Sequence, residues 1–303
     1  MLAVIVVNYK NEQKSIEFVQ QEVSKITLPH VTVIVDNEST DASVAAFKQG
    51  LSAKLIVDGD VVPCIDGDCY VVPSLANIGF AQGNNLGASL FKNHPGVSHL
   101  VFSNNDIRFI SENTIESLIE KIDTLPNAGM IGPNVIGLNG ERQSPFHFVS
   151  FWDHFFWVYW LTPFMSKRAK AKKFDYTKLA EEGFHYRIMG SLMIMRSMDF
   201  FACGMMDPAT FLYSEELILS ERLKRIGKGV YFFPRVTVLH EHGQTTSKYL
   251  SRKRQQKCMY ASECHYYRTF FGLSRIEEAL GWISLRSYTL LMSVKNSMKR
   301  IRF

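Results

Sequence analysis

The 303-residue sequence has little of what marks several large protein classes. It has five cysteines, an odd number for so long a chain, which excludes a disulfide framework as the organising principle. Cys64 and Cys69 share a loop with Asp66 and Asp68, but no second Cys or His pair stands at zinc spacing, so they read as incidental loop cysteines. The opening run, Leu2-Ala3-Val4-Ile5-Val6-Val7, lacks the basic flank of a secretory signal and fits a buried strand. The longest aromatic and apolar run, residues 146–165, is broken by Asp153 and His154, and charge there argues against a spanning helix. The expected compartment is therefore the reducing cytoplasm. Internal repeats and low-complexity tracts are absent. The net charge of +5 falls short of the excess typical of nucleic-acid binders, so no nucleic-acid partner is expected.

What is present points to a globular α/β chain. Apolar residues make up 46% and charged residues 21%, enough to bury a sizeable core. Continuous β-branched runs at residues 3–7 and 31–35, and apolar runs at 55–57, 70–72 and 100–102, read as strands. Helical periodicity separates them at residues 12–25, 43–49 and from the Gly/Asn-rich turn at 75–87 to about 91. A helix at 111–124 follows, with Ile115, Leu118, Ile119 and Ile122 on its apolar face. Further strands are expected at 130–136 and 189–195, a helix at 213–226, and two short strands at 230–233 and 236–239 flanking Pro234. The chain reads mainly helical from about 247. Strand and helix alternating at this spacing predict a mostly parallel sheet with covering helices, whose ligands bind beyond the carboxyl ends of the strands.

Five clusters fall where such ligands would bind. Asn104-Asn105-Asp106 ends a strand, and Asp106 either ligates a divalent ion or closes an Asx turn. Asp36 opens the run Asp36-Asn37-Glu38-Ser39-Thr40-Asp41; it can accept hydrogen bonds from a base or ribose while Thr40 or Asp41 caps the next helix. Residues 77–87 carry Asn77 and Gly79 in a glycine-rich turn, where backbone can approach a ligand and a helix start offers N–H groups to anions; the run is a poor match to a dinucleotide fingerprint. Glu215 and Glu216 open a helix after Ser214, either as a general base and its neighbour or as a capping cluster. His240-Glu241-His242 follows a strand, and either histidine can ligate a metal, contact a phosphate or be satisfied by backbone.

In order and spacing these motifs resemble family 2 glycosyltransferases of GT-A fold, most closely the bacterial rhamnosyltransferase-like branch. The likeness runs from Val4-Ile5-Val6-Val7-Asn8-Tyr9 through the Asp36, Asn77, Asp106, Gly190 and Glu216 regions to His240. It implies a Rossmann-like GT-A domain over residues 1–245, with a nucleotide-sugar-binding half (1–107) and an acceptor-binding half (108–245), followed by a C-terminal helical region (246–303). It implies that Asn8, Asp36, Asn77, Gly79 and Asn105 shape the donor site. Asp106 and His240 would hold Mg²⁺ or Mn²⁺, and Glu216 would be the base, with Glu215 the next candidate. The implied partners are a nucleoside-diphosphate sugar and a saccharide or lipid-linked acceptor in bacterial surface polysaccharide synthesis. Three positions depart from the pattern: Asn104 and Glu216 stand where Asp is commoner, and Ile218 replaces a frequent Asp. The rival readings are a nucleotidyltransferase that makes a sugar nucleotide and a non-catalytic scaffold that binds one. The first would want a basic, glycine-rich phosphate loop directly after the first strand, where Asn8-Tyr9-Lys10 stands instead.

A membrane partner is a further expectation. The aromatic run at 151–160 is followed by the basic cluster at 167–173, and residues 276–303 read as an amphipathic basic helix. Both suit peripheral docking on the anionic inner face of the cell membrane. The aromatic run reads equally well as an aromatic core or a homodimer contact.

Overall fold

The structure is a computed structural model that describes residues 1–57, 62–158, 160, 165, 181–241 and 251–301. The basic cluster at 167–173, His242, residues 246–250 and Arg302 lie outside the described residues.

The chain alternates strands and helices through its first half: β1 (Leu2–Tyr9), α1 (Glu12–Gln21), β2 (His30–Asn37), α2 (Asp41–Leu51), β3 (Lys54–Leu55), β4 (Cys69–Ser74), α3 (Gly79–Ser89) and β5 (His99–Ser103). Then come β6 (Ile107–Phe109), α4 (Thr114–Asp123), β7 (Ala128–Gly137), β8 (Gly183–His185), β9 (Leu192–Arg196), the short α5 (Ser197–Ala202), α6 (Glu215–Arg225) and β10 (Gly229–His240). Two long helices close the chain, α7 (Arg252–Phe271) and α8 (Arg275–Ile301). Among the described residues ten strands join one sheet, in the order β3-β4-β2-β1-β5-β9-β7-β10-β6 with β8 beside β10. The first five are mutually parallel, and β9 is antiparallel to both β5 and β7. This is the expected mixed α/β architecture. The short strands β6 and β8 and the helix α5 have no counterpart in the sequence reading.

Strand pleating sends alternate residues of β1 and β2 to opposite faces. Val4 and Val6 join the apolar layer with Phe18 of α1 and Ile115, Leu118 and Ile122 of α4. Ile5, Val33 and Val35 join the layer with Ala81 and Ala88 of α3. Both faces are buried, which is why these strands read as continuous rather than alternating apolar runs. The glycines of α3 divide by role. A Cβ at Gly87 would lie 2.8 Å from Ile5 and one at Gly83 3.1 Å from Val7, so these two let the helix lie close on the sheet rather than on a ligand.

The region around Pro234 is one strand, not two. β10 pairs with β7 up to Phe233↔Pro133 and resumes at Thr237↔Asn134, so residues 234–236 bulge out of the ladder. Pro234 has no N–H to donate there, and a bulge lets the strand continue past it. The continuation matters because it carries His240 to the rim of the site.

α7 and α8 pack with the aromatic segment in a separate apolar cluster. Phe151, Phe155, Tyr260, Cys264, Tyr266, Tyr267 and Leu285 are buried together with Ile218 of α6. Ile218 is fully buried, so the residue standing where relatives often have Asp is a core contact with the C-terminal helices. An Asp there would bury a carboxylate among aromatic rings, which is costly without a partner. All five cysteines are free thiols.

Candidate active site

A cleft of about 630 Å³ opens beyond the carboxyl ends of β1, β2 and β5. Its size suits one nucleotide-sized ligand. Of the residues singled out in the sequence, Asn77, Gly79, Asn105, Asp106, Glu215, Glu216 and His240 line it.

Asn8 and Asp36 are not among the lining residues. They lie one layer beneath, at paired positions of β1 and β2, and both are buried. Asn8 Nδ2 donates to Asp36 Oδ1 at 2.8 Å, and Ser39 Oγ donates to Asp36 Oδ2 at 2.6 Å. Ser43 Oγ also donates to Oδ2, and Ser15 Oγ donates to Asn8 Oδ1 at 2.9 Å. In this conformation both Asp36 oxygens are engaged within the protein. Pleating instead turns Asn37 to the cleft, where its Nδ2 donates to Gly79 O at 3.1 Å and its Oδ1 has no hydrogen-bond partner. Thr40 is the cap of α2: its hydroxyl accepts from Ser43 N at 3.1 Å, and Thr40 N donates back to Ser43 Oγ at 2.9 Å.

Gly79 starts α3 with φ at +86°, and its N–H donates to Asn77 Oδ1 at 3.0 Å. A Cβ at this position would meet the Phe211 carbonyl oxygen at 2.3 Å. Only glycine meets both demands, because the angle is unfavourable for other residues and the neighbour is backbone.

Asp106 sits where β5 gives way to β6, and its backbone carbonyl accepts from Glu241 N at 2.9 Å. That bond seats the end of β10 beside it and places His240 Nε2 3.3 Å from Asp106 Oδ1. This oxygen is buried without a hydrogen-bond partner, which an Asx turn made through it would not leave. His240 Nδ1 meets Gln143 Oε1 at 2.9 Å. An amide oxygen only accepts, so Nδ1 donates in this contact, and Nε2 faces Asp106. A carboxylate oxygen and an imidazole nitrogen are both ligand types for a divalent ion; among the described residues no third His, Cys, Asp or Glu joins them. Gln143 is then the outer partner that fixes the ring, a role with no signal in the sequence.

Glu215 and Glu216 form the first turn of α6. Ser214 precedes them at φ +68° and makes no side-chain cap, so the acidic pair is not part of a capping box. Their environments differ. Glu215 is buried, and its Oε1 has no hydrogen-bond partner. Burial first, and the neighbouring charge of Glu216 second, push its carboxyl up to about 8. Glu216 Oε1 instead accepts the Gly190 N–H at 2.8 Å on the cleft wall.

Two predictions follow from these contacts. An unfolded carboxyl releases its proton near 4.3 whereas folded Glu215 holds it to about 8. Raising the pH from 5 to 8 therefore favours the unfolded chain, and a Glu215→Gln variant escapes that loss. Its Tm should exceed the wild type's by several degrees at pH 8, with the gap closing towards pH 5; a gap independent of pH would refute the assignment. The second concerns Gly190, where an added Cβ would lie 2.2 Å from Glu216 Oε1 and 2.8 Å from its Cγ. The obstructing group is a movable side chain, so Gly190→Ala should fold but displace Glu216. Little change in Tm is expected, and any reaction in the cleft that uses Glu216 should slow by about 10²-fold, the scale for a misplaced group.

Among the described residues, seven buried side-chain oxygens lack a hydrogen-bond partner, and five of them, on Asn37, Asp106, Ser191, Glu215 and Glu263, belong to residues lining this one cleft. Buried polar groups are ordinarily paired, so their concentration marks a surface built for a polar ligand. Arg187, Gln255 and Glu263 also line the cleft and were not foreseen from the sequence.

The fold is GT-A: a mixed α/β architecture with a mostly parallel central sheet and flanking helices, as in glycosyltransferases of known structure. The backbone matches GalNAc-T7, solved with UDP, GalNAc and Mn²⁺, at a TM-score of 0.55 and 13% identity over 88% of this chain. The chain spans under half of that protein, 47% of its length. It matches residues 1–349 of S. aureus TarS at 0.52 and 14% identity, covering 93% of this chain and 77% of that one. It matches the mannosyltransferase PcManGT from Pyrobaculum calidifontis, solved with GDP-Man and Mn²⁺, at 0.52 and 11% identity, covering 98% and 79%. No protein-family model matches the chain, and no curated protein matches it with significance.

Proposed function

We propose that this chain is a glycosyltransferase that moves one sugar, with inversion, from a nucleoside-diphosphate sugar to a saccharide or lipid-linked acceptor. The observation that carries the reading is the cluster of unpartnered buried oxygens around one cleft, with Asp106 facing His240 at one place and Glu216 on the wall. Asp106 and His240 would hold Mg²⁺ or Mn²⁺, which when bound neutralises the diphosphate as it leaves. Glu216 accepts the proton of an acceptor hydroxyl as that oxygen bonds to the anomeric carbon and the bond to the diphosphate breaks. Glu215, whose carboxyl pKa burial raises, leaves the base role to its neighbour. Asn77, Gly79, Asn105 and Asn37 shape the donor side, with Asn8 and Asp36 holding the strand ends from beneath. The family 2, rhamnosyltransferase-like assignment and the role in bacterial surface polysaccharide synthesis rest on the motif resemblance.

The deciding test is a thermal-shift screen of UDP-, GDP- and dTDP-sugars with Mn²⁺, Mg²⁺ or EDTA, followed by product analysis. Stabilisation by a nucleotide sugar that requires metal, with release of the nucleoside diphosphate, is expected. Absence of both for every donor would sink the reading.

Peripheral membrane association belongs to the same proposal. Among the described residues no helix is long and apolar enough to cross a membrane. On α8, Ile276, Ile283 and Leu290 repeat every seven residues and are 75%, 59% and 67% exposed. Trp152 and Trp160 are also exposed, whereas Phe151 and Phe155 of the same segment are buried in the core. An exposed apolar stripe with exposed tryptophans on the aromatic segment suits the headgroup region, and the basic residues of the C-terminal sequence favour an anionic bilayer. Co-sedimentation with phosphatidylglycerol vesicles at low salt, reduced by Ile283→Glu together with Leu290→Glu, is the expected result. No sedimentation of the wild-type chain would refute it.

A further inference from the structure

Part of the cleft wall comes from α7, outside the elements that hold Asp106, His240 and Glu216. Gln255, Met259 and Glu263 all line the cleft. They stand four residues apart, so successive turns place them on one helix face. The adjoining face, with Tyr260, Cys264 and Tyr267, fills the apolar cluster. Gly281 lets α8 approach this region closely, since a Cβ there would lie 2.5 Å from Phe151 and 2.9 Å from the Tyr260 hydroxyl.

Glu263 is the unexpected member of the stripe. Its side chain is only 13% exposed, and its Oε2 has no hydrogen-bond partner. Burial raises its carboxyl pKa, opposed by the charges of His154 and Arg187. His154 Nε2 lies 3.6 Å away, beyond an ordinary hydrogen bond. Arg187 lines the same wall, with its guanidinium 3.9 Å above the Phe146 ring. None of these groups takes part in the proton transfer or the diphosphate chemistry above.

We propose that Glu263, with Arg187 and Gln255, recognises a neutral, hydroxyl-bearing sugar residue of the acceptor, and that Glu263 is a specificity-determining residue. The inference rests on the glycosyltransferase reading and names the acceptor class for it. The Glu263 carboxyl offers an oxygen to hydroxyl hydrogens, while the Arg187 guanidinium and the Gln255 amide donate to hydroxyl oxygens. Met259 and the Phe146 ring supply apolar surface for the C–H face of a pyranose. An acidic sugar on this wall would bury its carboxylate beside the Glu263 and Glu216 carboxyls, where a neutral hydroxyl costs far less to desolvate.

The test uses the full chain with Mn²⁺ and the nucleoside diphosphate of whichever donor the screen selects, with that nucleotide sugar itself for the hydrolysis assay. The acceptor probes are p-nitrophenyl glycosides of glucose, galactose, mannose, rhamnose and N-acetylglucosamine, with the glucuronide as the charged control. Binding is followed by ligand-observed NMR, and donor hydrolysis to water is measured in parallel. The wild type should bind at least one neutral glycoside and reject the glucuronide. Glu263→Gln keeps the shape but replaces a carboxyl oxygen with an N–H donor; it should weaken glycoside binding about 10-fold, the range for a mismatched buried hydrogen bond. Donor hydrolysis and metal-dependent stabilisation by the donor should fall less than glycoside binding, because Glu263 stands on α7, outside the elements that carry Asp106, His240, Asn77 and Gly79. Unchanged glycoside affinity in the variant, binding of the glucuronide alone, no neutral glycoside bound by the wild type, or an equal fall in donor hydrolysis would each overturn the proposal. Failure of the underlying reading shows separately, as a wild type that binds no nucleotide sugar with metal.

Discussion

Replacing Glu216 with glutamine should lower kcat for sugar transfer by about two to four orders of magnitude, the range for a lost general base. Glutamine keeps the length of the side chain and an oxygen able to accept the Gly190 N–H, the bond that holds Glu216 at 2.8 Å. The geometry should therefore survive, and only the capacity to take a proton is removed. Donor affinity, read as metal-dependent thermal stabilisation, should change little. That pattern, kcat lost with binding kept, separates a base from a residue that merely shapes the wall. Glu215→Gln is the matched comparison: it should keep most of its turnover, because a buried carboxyl whose pKa is pushed up to about 8 is already neutral at pH 7. If Glu215→Gln proves the inactive variant and Glu216→Gln the active one, the roles are reversed.

The parts legible in the sequence were those that follow from local pattern. Continuous β-branched runs announced β1 and β2, and the 3.6-residue spacing of Ile115, Leu118, Ile119 and Ile122 announced α4; all four side chains are buried. Asp106, Glu216 and His240 could be placed at the cleft, which all three line, because each follows directly on a strand or opens a helix, where a parallel sheet gathers its ligand groups. What could not be read depended on pairing between distant segments. Asp36 stood in a motif that resembles a donor contact, yet which face of β2 it occupies relative to Asn37 depends on register with β1 and on Ser15 and Ser43 coming together beneath it. Ile218 looked like a departure at a functional position, and its reason is the arrival of Tyr260 and Tyr267 from a helix some forty positions later. Glu263 gave no local signal at all, since its spacing with Gln255 and Met259 acquires meaning only once α7 is known to border the cleft.

Asp106→Asn is expected to cut transfer by about 10²- to 10³-fold, the scale for removing one preorganised electrostatic group from a charged transition state. Asparagine preserves the shape of the turn and the backbone bond from Glu241 N, so the end of β10 should stay in place. What changes is the negative charge facing His240 Nε2 across 3.3 Å. With Asn104 standing where relatives commonly have Asp, Asp106 is the one carboxylate of this motif, and no neighbour in Asn104-Asn105 can replace it. The deficit should therefore take the form of weakened metal dependence: the Mn²⁺ concentration for half-maximal donor stabilisation rises, and excess Mn²⁺ restores part of the lost turnover. His240→Ala should shift the same midpoint, because a neutral imidazole offers its lone pair to the same ion. Gln143→Ala should shift it less, having loosened only the ring that His240 presents. A graded series in metal midpoint, with Glu216→Gln showing no midpoint shift at all, would separate the group that holds the leaving side of the reaction from the group that takes the proton. An Asp106→Asn variant with the wild-type Mn²⁺ profile would remove the ion from this site and leave Asp106 as a structural residue of the β5–β6 turn.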